Sequence, residues 1–357
     1  MIFIIQIPNG GGVVRAVVYD QALQFAVRDV PEPVVGPGEI KIQVTRAGFC
    51  GTDLHLHHGG FGAVFPLIPG HEGTGVVTEL GEGVDTYQVG QSVVVNPNAF
   101  CGRCTYCRAG DLVRCRDVRS VGVNRDGMFA EFVAVPVEQV FNADGIERDA
   151  AVFTEPASCA MHGLEVLRPR PGTSALVFGA GPTGALLAQL LASGGVAHVT
   201  VVDPAQAKLD TVFALGIDQI RRIEMVTEHN AARIVAELRA ASPTREGYDV
   251  VVEATGSAAV GNLGVPLLRN GGTLLIYGVA HEDARLAISP YELFRRELTV
   301  KGSFAEMTSF AAALNALRTG RVRTHGLITH RFTLADYGRA IDAAQHDSSA
   351  HKIVITP

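Results

Sequence analysis

A chain of 357 residues, 47% hydrophobic and 18% charged, can bury a large core, and its length favours two domains over one. Its formal net charge of −6 contains no block of like charge, which excludes an electrostatic footprint for nucleic acid and leaves nothing to draw the chain to a membrane surface. Repeats and low-complexity segments are absent.

The apolar run Met1 to Ile7 lacks a cationic flank and is too short for a signal segment or a membrane span. Regular patterning begins at Val14, so residues 1 to about 13 are read as an extension from an upstream start codon. Nothing marks the chain as secreted, and the cytoplasm is the expected compartment.

From Arg15 to about Val95, short β-type runs alternate with turns rich in glycine and proline; Ile40, Ile42 and Val44 fall on one face of such a run. The pattern predicts a compact antiparallel β domain with no helix of useful length before residue 150. Within it, Gly48-Phe49-Cys50-Gly51-Thr52-Asp53-Leu54-His55 and Pro69-Gly70-His71-Glu72-Gly73 put a thiol and an imidazole on glycine-flanked loops. Those are ligand types that hold zinc in a cell.

Cys101, Cys104, Cys107 and Cys115 then form a C-x2-C-x2-C-x7-C array within fifteen residues. Four thiolates at this spacing can enclose a tetrahedral ion with no open position, so the role is structural. An iron–sulfur cluster is the competing reading, and the absence of a trailing Cys-Pro leans toward zinc. After a β-like segment, Met128 to Val135, the chain turns helical around Asp149 to Pro156. Glu155 stands there in apolar surroundings, where a carboxylate is expensive unless paired or bound to metal. A helix-end residue reaching solvent fits Glu155 nearly as well. Cys159 reads as a small buried hydrophobe.

From Ser174 to about Phe304, strands alternate with helices. Strand candidates are Ala175 to Phe178, Val199 to Asp203, Asp249 to Ala254, Thr273 to Tyr277 and Leu298 to Lys301, with helices such as Ala205 to Leu215 and Ala231 to Ala240 between them. This predicts a doubly wound parallel sheet of Rossmann type, its strand ends near Gly179, Asp203, Thr255-Gly256 and Gly278-Val279 lining one crevice. Gly179-Ala180-Gly181-Pro182-Thr183-Gly184 is the G-x-G-x-x-G turn that admits a pyrophosphate to a helix start. About 20 residues on, Asp203 offers a carboxylate to ribose hydroxyls. No arginine follows in Pro204 to Ala207, and Lys208 fits a ribose partner, so NAD is expected over NADP. Helix-like stretches Ser309 to Thr319 and Ala335 to Ala344 lead to a closing strand at Lys352 to Ile355, which most economically returns to the first domain.

Over nearly its whole length the chain resembles the zinc-dependent medium-chain alcohol and polyol dehydrogenases, the group that includes sorbitol and threonine dehydrogenases. The matching residues are Gly48 to His55, Pro69 to Glu72, the four-cysteine lobe, Glu155-Pro156, Gly179 to Gly184 and Lys301-Gly302-Ser303. The resemblance implies a GroES-like catalytic domain at 1–156 and 304–357, with its structural lobe at about 96–120, and a Rossmann domain at 157–303. It implies two zinc ions per chain: one on Cys101, Cys104, Cys107 and Cys115, and a catalytic one on Cys50, His71 and either Glu72 or Glu155. Thr52 and His55 pass the proton to solvent. Cofactor contacts fall to Gly179, Gly181, Pro182, Thr183, Gly184, Asp203, Lys208, Thr255, Gly278 and Val279, and Arg296 with Glu297 lines the polyol end of the pocket. Leu56 replaces an aromatic of the animal sorbitol enzymes, which leaves the substrate unnamed. The implied reaction is reversible hydride transfer between a small alcohol or polyol and NAD. Implied too is a homotetramer, or else a dimer, paired edge to edge through the strand near Thr273 to Tyr277. The rival readings are a zinc-independent quinone or enoyl reductase on the same fold, disfavoured by Cys50, His71 and Glu155, and a non-catalytic protein that binds nucleotide and zinc, disfavoured by Thr52 and His55.

Overall fold

A computed structural model describes residues 12–357. The expected N-terminal extension, apart from its last residues, lies outside that range. The chain divides into two compact units: the residues up to Glu155 together with Ile328–Pro357, and Pro156–Leu327. Residues 304–327, expected in the first domain, belong to the second. The reason is the helix Phe310–Arg318, whose Phe310, Ala313, Leu314 and Leu317 are buried, and whose N-cap Ser309 donates its hydroxyl to the Ser158 carbonyl at 2.8 Å.

The first unit is built on a seven-stranded sheet centred on Glu39–Phe49. Ile40, Ile42 and Val44 are buried at the two-residue period of a half-covered strand. At Ala47, Gly48 and Phe49 the alternation stops, because both faces are covered there. Each fully buried aliphatic side chain in this core contributes about 1.5–3 kcal/mol. On one flank Glu72–Leu80 runs antiparallel, with Gly48 opposite Glu72. On the other, Lys352–Thr356 places Ile353 opposite Phe49 and Val354 opposite Gly48. Ile328–Thr333, not anticipated from sequence, pairs in parallel with that closing strand. The predicted strand at 128–135 forms only over Phe132–Pro136.

The expectation of no helix of useful length before residue 150 is corrected by Gly51–His57, a two-turn helix opened by Cys50. Asp53 closes its N-terminus by accepting the Cys50 amide at 2.8 Å, satisfying a donor that the helix itself cannot use. Shortly before the unit ends, Arg148–Ala151 and Thr154–Leu167 confirm helix where 149–156 was read as such, and Glu155 sits in the first turn of the second.

The second unit carries a six-stranded parallel sheet. Numbered in chain order (Ser174–Phe178, His198–Asp203, Gln219–Arg222, Tyr248–Glu253, Leu268–Ile276, Thr299–Gly302), its strands lie in the doubly wound order 3-2-1-4-5-6. The central strand Ser174–Phe178 is buried throughout, as a continuous apolar run covered by helices requires. Leu268–Ile276 is enclosed between Tyr248–Glu253 and Thr299–Gly302, so the edge expected near Thr273 to Tyr277 is instead the strand Thr299–Gly302.

Candidate functional site

In the first unit, sheet register brings distant residues together. Cys50 follows Phe49 directly, and Glu72 lies across from Gly48. The ligand atoms of Cys50, His71 and Glu72 all lie within 4.8 Å of one another, with His71 and Glu72 buried. Glu155, half-buried at the start of its helix, is not part of that group but acts electrostatically on Lys352 beside it. A side chain at position 48 would overlap Glu72 and Lys352, so this crowded point requires glycine.

His71 Nδ1 faces Asp53 Oδ1 at 3.7 Å, and both buried atoms lack a hydrogen-bond partner. Burial opposes an imidazolium, yet the Asp53 carboxylate and the Cys50 sulfur hold the His71 pKa well above its ordinary value. The unpartnered Asp53 oxygen behind one ring nitrogen leaves the other nitrogen of His71 for a metal. The donor set of thiolate, imidazole and carboxylate fits zinc.

Thr52 and His55 are half-buried and three residues apart on Gly51–His57, on one helix face. The His55 ring stacks on Phe61 at a centroid distance of 6.4 Å. Leu56 is buried.

Among the four cysteines, Cys104 Sγ and Cys107 Sγ are 3.5 Å apart and Cys101 Sγ and Cys107 Sγ 4.0 Å. Backbone amides point at the sulfurs, from Cys107 to Cys104 at 3.5 Å, from Cys101 to Cys115 at 3.3 Å and from Asp117 to Cys115 at 3.4 Å. The amide of Cys107, helped by that of Arg116, lowers the Cys104 thiol to about 6. Such amides stabilise thiolates, and the four sulfurs gather within 4.8 Å, the arrangement a closed tetrahedral ion needs.

In the second unit Gly179 has φ of 102°, a conformation costly for any side chain, and Gly181 caps the helix Pro182–Ser193, with Pro182 and Thr183 in its first turn. A Cβ on Gly184 would overlap the Gly179 carbonyl, so helix and turn approach closely only because it is glycine. Asp203 accepts the Ala180 amide through Oδ2 and the Ala205 amide through Oδ1, each at 2.8 Å, tying two loops at the strand ends. Lys208 is half-buried on Gln206–Ala214. At neighbouring strand ends Gly278 packs against Gly256, and Val279 is 50% exposed beside it. Buried Glu253, which sequence reasoning missed, organises this end: Oε1 accepts the Thr255 amide at 2.6 Å and the Thr255 hydroxyl, and Oε2 accepts the Gly256 amide at 3.2 Å.

Arg222, on a strand not anticipated, pairs in register with Asp203 and donates Nε to the Pro204 carbonyl at 3.1 Å. An arginine therefore does stand beside Asp203, supplied by the neighbouring strand rather than by the following residues. Arg296 pairs with Glu292 at 2.9 Å, not with Glu297, and also donates to Asn270 at 3.2 Å and to the Leu268 carbonyl. Glu297 follows the helix in a left-handed conformation, φ 50°.

Residues 36–145 match the family model of the alcohol dehydrogenase GroES-like domain, and residues 182–319 that of zinc-binding dehydrogenases. D-arabinitol dehydrogenase 1 of Uromyces fabae is 37% identical over 92% of this chain and 93% of its own. Sorbitol dehydrogenase of Halalkalibacterium halodurans is 31% identical over 93% and 96%. Among solved structures, a protein described as a zinc-binding dehydrogenase from Sinorhizobium meliloti 1021, bound to NADP, superposes with a TM-score of 0.90 at 30% identity, covering 97% of this chain and 100% of that one. The chain belongs to the zinc-binding medium-chain alcohol and polyol dehydrogenase family. It is an oxidoreductase, with a GroES-like catalytic unit and a Rossmann unit.

Proposed function

We propose that the protein is a zinc-dependent dehydrogenase that interconverts a polyol or secondary alcohol and its ketone, with NAD as the preferred hydride acceptor. The observation that carries this reading is the buried convergence of Cys50, His71 and Glu72, with Thr52 and His55 on the helix that Cys50 opens. Cys50, His71 and either Glu72 or Glu155 would hold the zinc, which when bound supplies Lewis acidity toward an alcohol oxygen. Thr52 would accept the hydroxyl proton and His55 would carry it to solvent, each within a helical turn of the other. Asp53 orients His71 from behind.

Gly179, Gly181, Pro182, Thr183 and Gly184 would present unpaired amides to the pyrophosphate, while Asp203 and Lys208 hold the adenosine ribose and Thr255, Gly278 and Val279 border the dinucleotide. The nicotinamide, when bound, accepts the hydride. Arg222 favours a second reading for the cofactor, because a guanidinium beside Asp203 can accommodate a 2′-phosphate. NAD preferred with measurable use of NADP is the combination that Asp203 and Arg222 support.

Names of relatives, arabinitol and sorbitol dehydrogenases, support a polyol as substrate. Arg296 and Glu297 remain proposed substrate residues, with Arg296 positioned by Glu292 and Asn270. The lobe of Cys101, Cys104, Cys107 and Cys115 is proposed to hold the second, structural zinc. Assembly is proposed as a homotetramer, or else a dimer, using the edge strand Thr299–Gly302, where Val300 is 37% exposed; a stable monomer in sedimentation would refute both. No helix among the described residues is long and apolar enough to cross a membrane; a cytoplasmic location is proposed. The test of function is nicotinamide absorbance with NAD or NADP across a panel of pentitols, hexitols and simple secondary alcohols. Reduction by polyols is expected, and no reduction by any alcohol would overturn the reading.

A further inference from the structure

We infer that Glu253 is a positioning residue for the nicotinamide half of the dinucleotide: it fixes the loop at the end of the fourth strand of the second unit against the loop at the end of the fifth. The inference rests on the cofactor reading above.

Glu253 is 2% exposed and ends the strand Tyr248–Glu253. Its side chain holds the loop that follows: Oε1 accepts the Thr255 amide at 2.6 Å and the Thr255 hydroxyl, and Oε2 accepts the Gly256 amide at 3.2 Å. Its backbone carbonyl holds the neighbouring loop, accepting the Tyr277 amide at 2.9 Å and the Gly278 amide at 2.8 Å. One residue therefore ties two strand ends. These side-chain partners are all donors, which suits an acceptor-only carboxylate.

The two loops touch backbone to backbone. Gly256 is left-handed, φ 73°, and a Cβ there would overlap the Val279 carbonyl; a Cβ on Gly278 would overlap the Gly256 amide. On its other side Thr255 meets the glycine turn of the first strand, where a Cβ on Gly179 would lie 3.1 Å from Thr255 Cγ2. In the strand order 3-2-1-4-5-6 the first and fourth strands flank the switch point, where a dinucleotide crosses from one mononucleotide half to the other. The loops that Glu253 holds stand on the nicotinamide side of that crossing, and Asp203 on the adenosine side.

Burying a carboxylate is costly, and the hydrogen bonds it accepts offset that cost without a large surplus. Thr255 is exposed, so water could satisfy its amide in place of Glu253. What the buried carboxylate adds is a loop already set when the ligand arrives, which spares binding the cost of ordering it.

The test uses the full-length protein and two probes in titration calorimetry: NADH, which fills both halves of the crevice, and ADP, which carries the adenosine half alone. Glu253→Gln keeps the volume and an acceptor for Thr255 but turns a donor toward the Gly256 amide. It is expected to raise the Kd for NADH about tenfold, the loss of one hydrogen bond to a charged group, and to leave that for ADP unchanged. A role confined to stability would move both ligands together or neither, and either result overturns the positioning role. If Glu253→Gln does not fold, amide hydrogen exchange of the cofactor-free wild type decides, read by mass spectrometry on peptides that span residues 253–257. Slow exchange at Thr255 and Gly256 upholds the role, and exchange at the rate of an open loop overturns it. A wild-type protein that binds neither NADH nor ADP overturns the cofactor reading itself.

Discussion

The first unit holds two metal-suited clusters that use sulfur in opposite settings. Four cysteines in the lobe lie within fifteen residues, on short turns with amides aimed at their sulfurs. Cys50, His71 and Glu72 lie on a helix N-cap and at a strand start, and their surroundings add Lys352 from the far end of the chain and the carboxylate of Asp53. The lobe is a local device whose ligands would satisfy a tetrahedral ion completely. The second cluster is assembled by the whole sheet, mixes ligand types and carries charges beyond those a metal needs. A closed all-sulfur set suits structure, while a mixed set with ordered polar neighbours suits chemistry.

The comparison breaks most sharply at Cys50. Cys50→Ser should leave a folded protein whose turnover falls on the order of a thousandfold, because Lewis-acid stabilisation is worth several kcal/mol. Circular dichroism and steady-state rates on one preparation check both halves. Cys104→Ser should do the reverse in kind, costing about 4 kcal/mol of stability through loss of a structural metal, read as a lower denaturation midpoint. Equal effects of the two substitutions on folding would erase the distinction.

These clusters were unequally legible in the sequence. The cysteine lobe and the Gly179 to Gly184 turn are local, so spacing alone exposes them, and the apolar strand cores stand out because burial on both faces removes polar residues. Gln219–Arg222 did not stand out, because a polar edge strand has no such run, and with it the neighbour of Asp203 went unseen. Two turns give no hydrophobic period to detect, so from sequence Gly51–His57 reads as loop. The pairing of Lys352 with Glu72 depends on sheet register across 280 residues, which no local pattern encodes. A single amphipathic helix does not reveal which unit buries its apolar face, so the sequence alone does not show that residues 304–327 belong to the second unit.

Smaller effects sharpen the contrast between the metal-suited unit and the Rossmann unit, where cofactor specificity is proposed to rest on half-buried Asp203 and exposed Arg222. Asp203→Ala should weaken NAD binding by about 1.5–3 kcal/mol per charged hydrogen bond lost and narrow the preference over NADP, measured as the ratio of kcat/KM values. Arg222→Ala should cost NADP about 1 kcal/mol and leave NAD nearly unchanged, a modest effect because the guanidinium is exposed. A variant that loses both cofactors equally would remove the role given to Arg222.

The most direct test of the account is staged chelation of the full-length protein, with metal content and polyol-dependent NAD reduction measured on the same samples. The account predicts two zinc ions per chain at the start, and complete loss of activity once one has been removed while the fold and the lobe's metal persist, because an open site exchanges metal more readily than a four-thiolate cage. Activity that survives removal of the first ion, or that disappears only when the lobe's metal leaves and the protein unfolds, would contradict it.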